Sequence, residues 1–556
     1  MSSTTCIKTS LPIINPVRTS KVLIGIVFLI LYYFPLISVN AQQVSEGTYS
    51  PAAGDYVESV SQLADVSNYS LVDIMETLFA ERLQTGDYTL RRACMERFED
   101  LIYDYPPINP DAERTYHTMV FKAIMEIKHT TVTQGAVVWQ IQNHGFVVKT
   151  PSITLGFDLY DYYNYPEFSE LADLLDVYFI SHGHRDHFSE LLINAMSALG
   201  KPVVGPAELP DDPKFENVSI HMNADDVLTI NGCTVTAHDG GDHAVPVRMY
   251  EVVTPDGLKL MHTGDKEYTN TLPTVPDIDI LMFTSWISIP TAERTDSTRI
   301  EGIITTVNFY QPGVAIAGHL IELGHLQYIS PTQPAWPLYH NAYSAGDSSL
   351  LSEYRIPAWG ERYQYGGTID NILPNPVENL TYQMQQDTVI LSWDPPLPAA
   401  DNETATYYRV IADDTYDYWV DDTEFHHFAD PSFNFKVYAY DSCGNQSELY
   451  QEITGPAVTV DELHKITVPQ AYQLAQNFPN PFNSITRINY QIPTSSFVNL
   501  SVYNDLGQLV AILVNENKNA GYHSIVWDAN DVCPGLYFYR ISAREYYAVK
   551  KCFLLK

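Results

Sequence analysis

Basic residues are scarce in this 556-residue chain: 31 Lys and Arg stand against 67 Asp and Glu, a formal net charge of −36. Duplex nucleic acid and anionic membrane both require a cationic face that displaces counterions, so neither is expected as the main partner. Cysteine is sparse as well. Cys6, Cys94, Cys233, Cys443, Cys533 and Cys552 contain no C-x-x-C spacing, which excludes a metal site built from paired thiolates. One or two disulfides at most are expected, Cys533 with Cys552 being the pair closest in sequence, so the cores must be stable without them. What the chain does have is aromatic and turn-forming: 39 Tyr, 35 Pro and 28 Gly describe ordered, β-rich and loop-rich structure, since acidic disordered chains lack aromatics.

Only one apolar run is long. Lys8, Arg18 and Lys21 are the sole charges ahead of it, Val22 to Ile37 read VLIGIVFLILYYFPLI, and Ser38-Val39-Asn40-Ala41 follows. A positive end, an apolar stretch interrupted by Pro35 and then small residues form a secretory signal peptide over 1–41, leaving no stable membrane span once it is cut. A chain of this length holds several folded units.

Residues 42–130 read as a helical lead-in. Leu71, Ile74, Met75, Leu78 and Phe79 recur at helical spacing, and so do Tyr116, Met119, Val120, Ala123, Ile124 and Ile127. From Gly135 the period changes. Short strands with turns at Asn143-His144-Gly145 and Thr150-Pro151-Ser152 lead into apolar strands alternating with helices such as 189–199, which defines an α/β unit over 131–370. Helical signals then stop. Residues 371–455 carry PNPVENLTY, TVILSWDPP, YYRVI and FNFKVYAYDSCGNQSE, a pattern that resembles a fibronectin type III β-sandwich with Trp393 between its sheets and Phe435 at a position usually held by Tyr. The aspartates Asp413, Asp414, Asp417, Asp421 and Asp422 in this sandwich read as a solvated acidic face rather than a Ca²⁺ site. After a linker over 456–471, residues 472–556 carry QNFPNPFNSITRINYQIP, VNLSVYNDLGQLV, AGYHSIVWDAND and GLYFYRISAREYYAVKKCFLLK. This second β-sandwich resembles the C-terminal sorting domain of the type IX secretion system. The resemblance implies export from a Bacteroidetes-like cell to the outer surface or beyond, with the secretion machinery as a partner.

Chemistry is concentrated in Phe179-Ile180-Ser181-His182-Gly183-His184-Arg185-Asp186-His187. Three imidazoles and a carboxylate within six residues, placed after an apolar strand and before a helix, crowd four ligand groups into one loop. Neutral imidazole with carboxylate suits Zn²⁺, Fe or Mn. Packing alone does not require such a density of ligands.

H-x-H-x-D-H resembles the signature of the metallo-β-lactamase fold. The likeness implies an α/β fold, a four-layer αβ/βα sandwich with metals at the sheet edges, here followed by the two all-β sandwiches. Later motifs fall in the family's order: His243 after a strand, Asp265 in Thr-Gly-Asp, and His319 in Ala-Gly-His. It follows from the resemblance that His182, His184 and His243 hold one divalent ion and Asp186, His187 and His319 a second, with Asp265 bridging them; Zn²⁺ is the first choice and Fe or Mn the others. Histidine spacing leaves His238 open in place of His243, and His325 in place of His319. Asp265 and Asp186 are the candidate catalytic carboxylates. Glu322 and His325 are candidates for outer-sphere or substrate contacts, and Trp286 and Tyr310 for a pocket wall. His144 reads as an ordinary turn residue.

The function expected is metal-dependent hydrolysis of a small ester, lactone, phosphoester or amide, without β-lactamase activity. Two alternatives stand beside it. One is a surface adhesion protein on a metal-stabilised scaffold; the other is an iron oxidoreductase of the same fold.

Overall fold

The computed structural model describes residues 44–48, 91–98, 110–163, 165–209, 212–242, 245–266, 272–285, 296–320, 338–346, 353–385, 388–414, 416–427, 433–455, 471–474, 485–504, 507–529, 535–544 and 546–554, with Ile74, Asn477 and Val532. The signal-peptide reading of 1–41 and the helical spacing over 71–79, Ile74 apart, lie outside them. Among the described residues, no helix is long and apolar enough to cross a membrane.

Two seven-stranded sheets face one another. The first contains β1 (Ala136–Gln142), β2 (Gly145–Lys149), β3 (Thr154–Phe157), β4 (Val177–Phe179), β5 (Val203–Pro206) and β6 (Ile220–Met222). The second runs from β7 (Val227–Ile230) and β8 (Cys233–Asp242) through β9 (Pro246–Val253), β10 (Lys259–His262), β11 (Ile280–Thr284) and β12 (Val314–Gly318) to β13 (Tyr354–Arg355). Strand β14 (Glu361–Tyr365) then returns to the first sheet, whose order is β14-β1-β2-β3-β4-β5-β6, while the second is β13-β12-β11-β10-β9-β8-β7. Each sheet is antiparallel in one half and parallel in the other.

Strand alternation builds the layers, because successive side chains point to opposite faces. Val138, Phe146, Phe157 and Phe179 meet Val235, Tyr250, Leu260, Met282 and Ile316 between the sheets. Their neighbours in sequence, Trp139, Val147, Tyr178, Met261, Leu281 and Ala315, face outward onto helices. Helix α1 (Pro110–His129) and helix α2 (Glu190–Ala198) cover the first sheet; α3 (Asp296–Tyr310) and α4 (Leu338–Gly346) cover the second. Tyr116, Met119, Val120, Ala123, Ile124 and Ile127, the residues at helical spacing, are the buried stripe of α1. Ser189 caps α2 by accepting the Leu192 N–H. Tyr310, expected at a pocket wall, instead packs in the outer core.

Two β-sandwiches follow. In the first, Glu378–Gln385, Thr388–Asp394 and Glu424–His427 face a sheet of Tyr407–Ala412, Tyr416–Val420, Asn434–Tyr440 and Leu449–Thr454, with Val44–Thr48 paired at its edge. Trp393 lies in its core, ring edge against Tyr408, alongside Phe435. In the second, Gln473–Leu474, Ile485–Ile492 and Gly521–Asp528 face Ser496–Asn504, Leu509–Lys518, Gly535–Ala543 and Tyr546–Leu554. The expected Cys533–Cys552 disulfide is not formed: Cys552 is a free thiol in this core, donating to the Tyr537 carbonyl, and Cys533 lies outside the described residues.

The first sandwich is docked on α1 through polar and apolar contacts. Asp417 accepts from both Arg409 and Arg114, Asp421 pairs with Lys128 and His129, and Met125 packs among Tyr407, Ile411, Tyr438 and Tyr440. The reading of these aspartates as a solvated face holds for Asp413, Asp414, Asp421 and Asp422, which are exposed, and is corrected for Asp417, which is buried. Runs of acidic residues look alike in sequence whether water or arginine lies opposite them.

Candidate metal centre

The candidate residues gather where strands of both sheets end at one edge, the usual place for a site beside parallel strands. His182, His184, Asp186 and His187 follow β4, Asp265 follows β10, and His319 follows β12. The sheets are sewn together there: His319 N donates to the Asn143 carbonyl at 2.7 Å, Arg248 N to the Ser181 carbonyl at 2.9 Å, and Tyr250 Oη to the Ile180 carbonyl at 2.9 Å. Asn143, Asp158 and His319 hold left-handed backbone at φ 49°, 44° and 57°. Non-glycine residues pay about 1 kcal/mol or more for such conformations, which therefore tend to persist at functional sites.

Six of the seven expected metal-site residues converge. His182 Nε2 lies 2.9 Å from His184 Nδ1 and 3.7 Å from Asp265 Oδ2. His187 Nε2 is 3.2 Å from both Asp186 Oδ2 and Asp265 Oδ2. His319 Nε2 is 3.5 Å from Asp186 Oδ2 and 3.3 Å from Asp265 Oδ1. The ligand atoms form two compact groups, His182–His184–Asp265 and Asp186–His187–His319, each within 4.8 Å. Asp265 touches members of both. The seventh residue, His243, lies outside the described residues, as do Trp286, Glu322 and His325. His238 is not its substitute: in β8 its Nε2 bonds the Glu251 carboxylate at 2.9 Å.

His182 and His187 are fully buried, while His184 and Asp186 are half-buried and Arg185 is exposed, so the group opens to solvent at the His184–Asp186 side. Burial pushes the Asp186 and Asp265 carboxyls up, but the charges of His187 and His319 close beside them outweigh it and hold both well below the usual carboxylate range. Burial pushes the other way on His187 and His319, yet Asp265 and Asp186 raise both, His319 to about 9. Protons on two imidazoles thus balance a knot of buried carboxylates. Buried His187 Nε2 and Asp265 Oδ1 make no well-formed hydrogen bond. Converging imidazole and carboxylate atoms in need of positive charge fit divalent cations of the Zn²⁺, Fe or Mn class.

Four residues of this edge were not read as part of it. Asp158 accepts from Ser181 N at 2.6 Å, Ser181 Oγ at 2.5 Å and His187 Nδ1 at 2.8 Å. His262 and His144 lie beside the group with their rings tilted at 38° and centroids 4.4 Å apart, and both are buried. Buried Asn143 donates from Nδ2 to Asp186 Oδ2 at 2.9 Å. Reading His144 as a plain turn residue is corrected, for its ring is enclosed and neither nitrogen has a hydrogen-bond partner. The signal for Asp158 and His262 is their position at strand ends, Asp158 after β3 and His262 at the end of β10.

Among solved structures, the chain is similar to Igni18, a metallo hydrolase from Ignicoccus hospitalis, at 14% identity over 42% of this chain and 100% of that one, TM-score 0.33. It is similar to a protein described as a possible metal-dependent hydrolase from Veillonella parvula, at 15% identity over 41% of this chain and 99% of that one, TM-score 0.31. It is also similar to CmlA, a diiron β-hydroxylase from Streptomyces venezuelae, at 13% identity over 42% of this chain and 54% of that one, TM-score 0.31. No curated protein sequence matches the chain. Residues 476–554 match the family of secretion system C-terminal sorting domains.

Proposed function

We propose that this is an exported dinuclear metal-dependent hydrolase. One observation carries the reading: Asp265, from the second sheet, comes within 3.2–3.7 Å of His182, His187 and His319, which arrive from both sheets. His182, His184 and His243 would hold one cation, Asp186, His187 and His319 the other, with Asp265 shared. Bound cations of this class supply water of lowered pKa and an electrophile for a carbonyl or phosphoryl oxygen. The chain supplies the rest. Asp265 and Asp186, held ionised, accept from and orient the attacking water; Asp158 fixes His187 through Nδ1; and Asn143 fixes Asp186. The enclosed walls at His182, His187 and His262 exclude bulk water, leaving the His184–Asp186 side for substrate.

The substrate in this proposal is a small ester, lactone, phosphoester or amide. The sorting domain supports passage through the type IX machinery, and residues 1–41 are proposed as the signal for the first membrane. Elemental analysis of the mature chain, followed by chromogenic esters, lactones and phosphodiesters, tests the reading. Zn²⁺ that is lost from this centre together with turnover in His184→Ala supports it; a centre that binds no metal, or iron with oxygen consumption, overturns it.

A further inference from the structure

Away from the metal centre, three chain segments bring another set of ligand atoms together. Asp370 lies on the segment leaving β14 for the first sandwich, Glu403 on the loop before Tyr407–Ala412, and Cys443 on the turn after Asn434–Tyr440. One carboxylate oxygen from each acid and the Cys443 Sγ lie within 4.8 Å of one another.

A second observation adds to the cluster. Asp441 is 1% exposed; its Oδ1 accepts the N–H groups of Cys443 at 2.8 Å and Asn445 at 2.9 Å, while its Oδ2 has no hydrogen-bond partner. Asn445 is equally buried, reaches Asp370 Oδ2 from Nδ2 at 3.1 Å, and leaves its own Oδ1 unpartnered. The Arg362 guanidinium donates to the Cys443 carbonyl and Thr130 Oγ1. A buried, unsatisfied carboxylate oxygen beside further carboxylates is costly unless a proton or a cation answers it.

We infer that Asp370, Glu403 and Cys443, with Asp441 beside them, form a separate divalent-cation site of the Zn²⁺ class. A thiolate among oxygen ligands selects Zn²⁺ over the hard cation Ca²⁺. Binding releases the Cys443 proton to solvent as the sulfur takes the metal. The cation would tie the segment that leaves the α/β unit to two loops of the sandwich, closing the seam that α1 begins. The inference stands apart from the hydrolase reading, because no thiol belongs to the described residues of the metal centre.

Cobalt-loaded mature full-length protein tests it. Sulfur-to-cobalt charge transfer should appear in the near-ultraviolet and vanish in Cys443→Ser, which should lose one metal equivalent and keep hydrolytic turnover. In the wild-type chain, Zn²⁺ should protect Cys443 from alkylation and a chelator should restore its reactivity. Absence of the band, or equal alkylation with and without Zn²⁺, overturns the inference. Thermal stabilisation by Ca²⁺ that survives Cys443→Ser overturns the thiolate assignment.

Discussion

His187 Nδ1 donates to Asp158 Oδ2 at 2.8 Å, and both side chains are completely shielded from solvent. The bond fixes which imidazole nitrogen faces Asp186 and Asp265. Because Asp158 also accepts from Ser181 N and Oγ, it ties the end of β3 to the loop after β4 before any cation is bound. Asp158→Asn keeps the shape but loses the charge, and removing such an outer partner typically weakens metal affinity about 10–100-fold. Competition with a calibrated chelator measures that loss, and affinity within twofold of wild type would show that Asp158 only braces the loop.

His184 separates metal binding from folding better than its buried neighbours. It is half-buried at the open side, so His184→Ala leaves little cavity. Loss of a direct ligand should exceed the roughly 100-fold upper range for outer partners, and turnover should fall with metal content. His238→Ala is the matched control, since His238 is paired with Glu251 in β8 and should leave metal content and turnover unchanged. Full metal content in His184→Ala, or its loss in His238→Ala, reverses the ligand assignment.

The loop from His182 to His187 was legible because four ligand groups in six residues have no packing rationale. Asp265 and His319 were legible by their places after strands. Asp158 was not: a lone aspartate after Gly-Phe looks like a turn residue until the fold sets it beneath His187. His238 and His243 share a histidine-rich stretch, and only the register of β8 against β9, which places His238 opposite Met249 and within reach of Glu251, withdraws the first. The two-sheet α/β layout followed from strand periodicity and the motif resemblance. The seam at Asp417 did not, because its partners Arg114 and Arg409 belong to different units and no local pattern joins them.

That seam should be energetically uneven. Asp417 is buried with Arg409, and Arg114 reaches it from α1, so Asp417→Ala strands a buried guanidinium and should cost about 3–5 kcal/mol. Lys128→Ala breaks a pair exposed to water and should cost at most about 1 kcal/mol. Denaturant unfolding of both variants measures the difference, and equal losses would mean that the buried pair does not anchor the seam.

His117, on α1, packs its ring against Phe121 and Tyr165. Burial lowers it to about 4, with Asp417 opposing. A histidine whose folded pKa is depressed contributes no penalty while it is neutral in both states, above about pH 6.5; below that the unfolded chain binds the proton more readily. Stability should therefore fall as pH drops from about 6.5 toward 4, by up to roughly 3 kcal/mol. His117→Phe should flatten that part of the profile. An unchanged slope in the variant would place the acid sensitivity elsewhere.

Gly318 ends β12 and hands the chain to His319. A Cβ there would collide with His144 Nδ1 and sit 2.9 Å from the Phe146 ring. Neither neighbour can yield easily, since the His144 ring is enclosed against His262 and Phe146 belongs to the core between the sheets. Gly318→Ala should therefore push β12 or the His144 hairpin outward, at about 1–3 kcal/mol of stability, and carry His319 away from Asp186 and Asp265. Metal affinity should fall with it. Removing the nearer obstruction distinguishes this account from a general loss of folding: His144→Ala in the Gly318→Ala background relieves that contact, leaves the one with Phe146, and should recover part of the metal content, a positive coupling that a double-mutant cycle reads directly. If the two changes simply add, the contact between Gly318 and His144 does not set the position of His319.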